Sequence, residues 1–123
     1  MNRILIVEDD PDVANLAKRW LEEKGYGVQH VTDGPSAVEF LKNDPLPTLV
    51  LLDIMLPKMD GFEVLRRIRT DTRMKTLPVV MVTSFSRDRD AARGRELGAN
   101  DYVVKPLMEL DFLKRLEPLI KDQ

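Results

Sequence analysis

The 123-residue chain has no cysteine, which excludes thiol chemistry and zinc-thiolate centres and fits a reducing compartment. No apolar run approaches the roughly 18 residues that a membrane-spanning helix needs, and no basic segment near the start leads into an apolar stretch. The expectation is a cytoplasmic protein with no membrane partner. An excess of either charge is also missing, because 19 Lys and Arg face 21 Asp and Glu for a net of -2. Such a field gives a nucleic-acid backbone nothing to bind. The arginines and lysine at 66, 67, 69, 73 and 75 read as a solvated helix face, and those at 87, 89, 93 and 95 alternate with Asp88, Asp90 and Glu96. Histidine and tryptophan occur once each; His30 reads as a half-buried strand residue with no partner near it in sequence, and Trp20 as core. Repeats, low-complexity tracts and linkers are absent as well. Residues 1–123 therefore read as one domain, whose 43% hydrophobic content can bury roughly two thirds of the unfolded surface.

What the chain does have is a set of short apolar runs that each end in a reactive side chain. Ile4 to Val7 precede Glu8, Asp9 and Asp10; Leu49 to Leu52 precede Asp53; Val79 to Val82 precede Thr83 and Ser84; Val103 and Val104 precede Lys105 and Pro106. Runs of this kind, rich in β-branched residues, read as strands covered on both faces, the habit of a parallel sheet. Tyr26 to Val31 supplies a further strand.

Between the strands lie helical patterns. Pro11 opens the first, where Val13, Leu16, Ala17, Trp20 and Leu21 form one buried stripe and Gly25 ends it. Asp33-Gly34-Pro35 starts the second, with Ala37, Val38 and Leu41 inward, and Asp60 caps the third, which carries Phe62, Leu65 and Ile68. The fourth, about Arg87 to Leu97, offers only Ala91, Ala92 and Gly94 inward and is expected to dock weakly. Leu110, Leu113, Leu116 and Ile120 are expected inward from the fifth, which Pro118 should kink or end. Five strands alternating with five helices predict an α/β fold: a doubly wound, flavodoxin-like (βα)5 three-layer sandwich with a parallel sheet in the order 2-1-3-4-5. That order makes Glu8-Asp9 and Asp53 neighbours at the carboxyl edge.

Carboxylates crowded there repel one another, so a use for them is expected. A hard divalent ion neutralises them, and magnesium commonly takes one or two carboxylates while keeping waters that a phosphate can replace. One carboxylate oxygen can then attack phosphorus, with Lys105 and the Thr83 hydroxyl meeting the phosphoryl oxygens. Singly, Asp53 could be a loop cap, Thr83 a strand-end hydroxyl and Lys105 a solvated lysine; their joint placement at strand ends argues for chemistry.

In combination, Ile4 to Asp10, Leu51 to Gly61, Val82-Thr83-Ser84, Gly98-Ala99 and Asp101 to Pro106 resemble the response-regulator receiver domain of two-component signalling, of the chemotaxis-regulator kind. The resemblance runs from Arg3 to about Leu119. It implies Asp53 as the phosphoacceptor and Mg2+, with Mn2+ an alternative, held by Asp9, Asp53, the Met55 main-chain carbonyl and Glu8 through water. It also implies Thr83 as the switch hydroxyl, Tyr102 as the aromatic that changes rotamer, Lys105 as the phosphate contact and a cis Lys105-Pro106 bond. Asp10 reads equally as a tolerated family position and as a helix N-terminal charge.

The implied partners are a sensor histidine kinase or a histidine phosphotransfer protein, and the implied role is a phosphorylation switch relaying through the face of helix four, strand five and helix five. Such a protein catalyses only its own phosphorylation and dephosphorylation. Met55 and the bulky Phe85 stand where the family lines the path of attacking water, so slow self-hydrolysis is expected. A single-domain regulator, monomeric or dimerising on phosphorylation, is favoured over a receiver cut from a multidomain transcription factor or hybrid kinase. A magnesium-dependent phosphohydrolase with an Asp nucleophile would need a second Asp where Met55 stands, and an FMN carrier is disfavoured by Glu8-Asp9-Asp10. The effector is not legible.

Overall fold

A computed structural model describes residues 2–84 and 88–121. The elements are β1 (Arg3–Val7), α1 (Pro11–Glu23), β2 (Gly27–Val31), α2 (Gly34–Leu41), β3 (Leu49–Leu52), α3 (Gly61–Thr70), β4 (Val79–Thr83), α4 (Asp88–Glu96), β5 (Asp101–Val104) and α5 (Glu109–Lys121). All strand pairs are parallel, and the sheet order is β2-β1-β3-β4-β5. This is the predicted doubly wound architecture. Among the described residues no helix is long and apolar enough to cross a membrane.

Alternation along the strands sorts their side chains into two layers. Ile4, Ile6, Leu49, Leu51, Val80, Val82 and Val103 pack with Ala17, Trp20 and Leu21 of α1 and with Phe112, Leu116 and Ile120 of α5. Leu5, Val7, Val50, Leu52, Val79 and Met81 face the other way, onto Ala37 and Leu41 of α2 and Phe62, Val64, Leu65 and Ile68 of α3. Every residue of β3 and β4 is buried, which is why those strands are apolar on both faces until β4 reaches Thr83.

Three aspartates set the helix starts. Asp10, Asp33 and Asp60 accept from the main-chain N–H of Asp12, Ser36 and Glu63 at 2.9, 2.7 and 3.0 Å. Each satisfies a donor the helix leaves free, and for Asp10 this gives the residue a defined capping role. The Ser36 bond holds the Asp33 carboxyl below its usual range.

Several expectations are corrected. Leu110 is 78% exposed, and Phe112, fully buried against Trp20 at a 5.9 Å ring separation, is the anchor of α5. Its stripe runs Phe112, Leu116, Ile120, so the helix is rotated away from Leu110. Pro118 does not end the helix, which continues to Lys121. Pro118 sits on the exposed side, and buried Leu116 and Ile120 on either flank hold the last turn to the sheet despite the lost backbone bond. The second strand begins at Gly27 rather than Tyr26. His30 is exposed, because β2 is the edge strand, and it does have a partner. As expected, α4 is poorly anchored: Gly94 is its one buried residue among those described. The expected start at Arg87, and Phe85 in the water path, lie outside the described residues.

The basic cluster divides in two. Arg66 and Arg67 pair with Glu63 at 2.6 and 2.9 Å on the surface, as a solvated face would. Arg69 instead donates to Gly98 O, Leu77 O and Asn100 Oδ1, tying the end of α3 to the turn before β5. Arg73 likewise clasps Leu41 O, Asn43 O and Asp44. These two arginines are structural, and their partners are 8 to 32 residues away in sequence.

Candidate functional site

The register puts the functional side chains together. Val7 pairs with Leu52 and Leu52 with Met81, so the residues just beyond them, Glu8 and Asp53, emerge side by side. Thr83 pairs with Val104, and the Lys105 N–H donates to Thr83 O at 2.8 Å, which brings the lysine to the same edge. The Asp53 N–H bonds Val7 O at 3.0 Å, prolonging the sheet by one residue. Gly61 closes the site from below. A Cβ there would run into the main-chain oxygen of Asp53, so only glycine lets α3 start this close.

Glu8 and Asp53 are 2% and 4% exposed, while Asp9 is exposed. Ligand oxygens from all three lie within 4.8 Å of one another. At that separation each ionised pair repels by roughly 3 kcal/mol at an effective dielectric near 20. Lys105 offsets part of this: its Nζ lies 2.7 Å from Glu8 Oε1 and 3.0 Å from Asp53 Oδ2. The remaining oxygens are held by the main chain. Asp10 N–H donates to Glu8 Oε2 at 3.1 Å, and Met55 N–H to Asp53 Oδ1 at 3.2 Å.

These contacts leave their mark on protonation. Burial above all raises the Glu8 carboxyl to about 7; Lys105 and the Asp10 N–H oppose that shift, and neighbouring Asp53 adds to it. Burial pulls Lys105 down, but its hydrogen bonds with Glu8 and Asp53 prevail and leave it above its ordinary value. A charged lysine thus bridges Glu8 and Asp53, and its bond to Glu8 opposes the effect of burial on that carboxyl.

Of the other predicted site residues, Thr83 is fully buried. It shares a face of β4 with Val79 and Met81, and half-buried Tyr102 packs into that same layer beside Met81. Met55 projects its side chain to solvent, 60% exposed, beside Asp53. The Lys105–Pro106 bond is cis. Sequence reasoning missed His30, whose Nε2 sits 2.7 Å from the main-chain oxygen of Glu8. Its signal was position alone, near the carboxyl end of the strand beside β1.

The donor set suits a divalent cation. It consists of hard carboxylate oxygens in a partly buried cluster whose charge exceeds what one lysine cancels.

Fold and site together define a doubly wound α/β protein with an acidic pocket at the carboxyl edge of a five-stranded parallel sheet. Residues 4–117 match the family model described as the response regulator receiver domain, and the chain belongs to that family. It is 40% identical over 121 residues to the DNA-binding dual master transcriptional regulator RpaA of Synechocystis, covering 98% of this chain and 50% of RpaA. The chain spans about half the length of RpaA and of several other curated relatives it matches. Among solved structures it resembles the signal receiver domain of a signal transduction histidine kinase from Syntrophus aciditrophicus, with a TM-score of 0.90 and 36% identity over 99% of this chain and 92% of that one. The Mn2+-bound form of response regulator Rcp1 gives a TM-score of 0.84 and 32% identity over 97% and 91%. Receiver domains are phosphorylation-activated switches that take phosphoryl groups from histidine kinases.

Proposed function

We propose that Asp53 is the phosphoacceptor of this receiver, fed by a sensor histidine kinase or a histidine phosphotransfer protein in the cytoplasm. An Asp53 oxygen attacks the phosphorus of phosphohistidine. The P–N bond breaks, the imidazole nitrogen leaves with the bonding pair and takes up a proton, and an aspartyl phosphate remains. Lys105, already 3.0 Å from Asp53, meets the charge that the phosphoryl oxygens bring. Glu8, Asp9, Asp53 and the Met55 main-chain oxygen would hold Mg2+, or Mn2+, which when bound supplies positive charge to the carboxylates and the phosphoryl group. Beyond this self-directed chemistry the protein is not an enzyme.

The carrying observation is the Lys105 ammonium bridging Glu8 and Asp53 within a three-carboxylate cluster. Incubation with radiolabelled acetyl phosphate and Mg2+ should label the wild type and leave Asp53→Asn unlabelled. Persistent labelling of that variant rejects the assignment.

The signal then leaves through α4, β5 and α5. Thr83 turns its hydroxyl to the new phosphoryl group, Tyr102 follows into the space behind it, and α4, with Gly94 as its buried contact, shifts. What supports this is the shared layer of Thr83 and Tyr102 and the thin anchoring of α4. The face serves a protein effector or a phosphorylation-dependent dimer, without direct nucleic-acid contact. A second reading, in which the receiver governs an attached DNA-binding unit, is favoured by the transcription regulators among the relatives.

A further inference from the structure

His30 lies on the edge strand, yet its ring reaches the main-chain oxygen of Glu8. Pairing of β1 with β2 ends at Val7 with Val31, and the Glu8 N–H still reaches Val31 O at 3.1 Å. The next main-chain oxygen, that of Glu8, meets His30 Nε2 at 2.7 Å. A carbonyl oxygen only accepts, so Nε2 carries a proton and donates it. The histidine side chain takes over where the ladder stops.

That oxygen belongs to the peptide joining Glu8 to Asp9. The peptide is planar, so a bond to its oxygen sets the tilt of the whole unit and the direction in which Asp9 departs. The other two carboxylates are fixed through their own oxygens, by Lys105, Asp10 N–H and Met55 N–H. Asp9 is exposed, and its place within the 4.8 Å cluster depends on the main chain that carries it.

We propose that His30 is a positioning residue of the acidic site: by donating to the Glu8 carbonyl it orients the Glu8–Asp9 peptide and holds the Asp9 carboxylate where the three ligand oxygens converge. This rests on the reading of that cluster as a divalent-cation site. His30 touches no ligand or substrate and acts through the backbone alone. An amide at the same position could supply an equivalent donor.

The test is Mn2+ titration of the wild type, His30→Ala and His30→Gln, followed by water-proton relaxation, with amide hydrogen exchange of Asp9 and Asp10 measured in the metal-free proteins. His30→Ala should weaken Mn2+ binding about tenfold, in the range seen when supports of metal ligands are removed, and should speed exchange at Asp9 and Asp10. His30→Gln should restore most of both. Equal Mn2+ affinity in the wild type and His30→Ala overturns the role of His30 while leaving the cation site intact. Equal losses in the alanine and glutamine variants overturn the donor argument. A wild type that takes up no Mn2+ sinks the cation site itself and this inference with it.

Discussion

Glu8 should make the metal-free protein lose stability as pH rises, an unusual direction for a carboxylate. Its carboxyl titrates near 7 in the folded protein against 4.5 when unfolded, burial being the main cause. Between those values the folded state holds a proton that the unfolded state has released. The Glu8 contribution is therefore fully present below pH 4.5 and is lost as pH climbs through 7. Each unit of the gap corresponds to about 1.4 kcal/mol, so the full effect is about 3–4 kcal/mol at most. For a domain of this size that is a fall of roughly 10 °C in Tm. Glu63, held down to about 2 first of all by its hydrogen bond with Arg66, contributes in the opposite sense and only below pH 4.5, outside this window. Urea unfolding between about pH 5 and 8 reads the slope. Glu8→Gln keeps an oxygen for Lys105 but cannot ionise, and should flatten the profile. Millimolar Mg2+ should raise the alkaline arm, because the cation prefers the ionised cluster. A wild-type profile that is flat across this window, or a Glu8→Gln slope equal to the wild type's, refutes the reasoning.

Two further perturbations test the fold that positions the site. Phe112→Ala empties a fully buried position and should cost about 3–5 kcal/mol in urea unfolding, whereas Leu110→Ala, roughly half a turn away on the exposed side, should stay within about 0.5 kcal/mol. Equal effects would place the α5 anchor elsewhere. Arg69→Met keeps the stem but removes donors to Gly98 O, Leu77 O and Asn100 Oδ1. It should cost about 1–3 kcal/mol and speed hydrogen exchange around Gly98 and Asn100, and unchanged exchange there would dismiss the clasp.

Much was legible in the sequence because its signals are local. Four residues of unbroken apolar character at Leu49 to Leu52 announce a strand covered on both faces, and Asp60 ahead of Phe62, Leu65 and Ile68 announces its cap. The acidic site was legible too, since each of its residues directly follows a strand and parallel strands deliver their ends to one edge. The α5 stripe is ambiguous in the sequence because Leu110 and Phe112 are both apolar and the helical period admits either; the facing surface of Trp20 selects Phe112. The missing N–H of Pro118 points to a helix end, whereas the burial of Leu116 and Ile120, set by the tertiary structure, holds the turn in place.

By itself, then, the sequence determined the alternation of elements, the layers each strand feeds and the identity of the carboxylates, because patterning and capping act over a few residues. Only the tertiary structure decided what those groups feel: that Lys105 bridges Glu8 and Asp53, that burial lifts the Glu8 carboxyl to about 7, that Arg69 and Arg73 are clasps, and that His30 supports the Glu8 carbonyl. These are contacts between residues far apart in the chain, and electrostatic strength depends on distance and solvent exclusion, which the folded arrangement alone supplies.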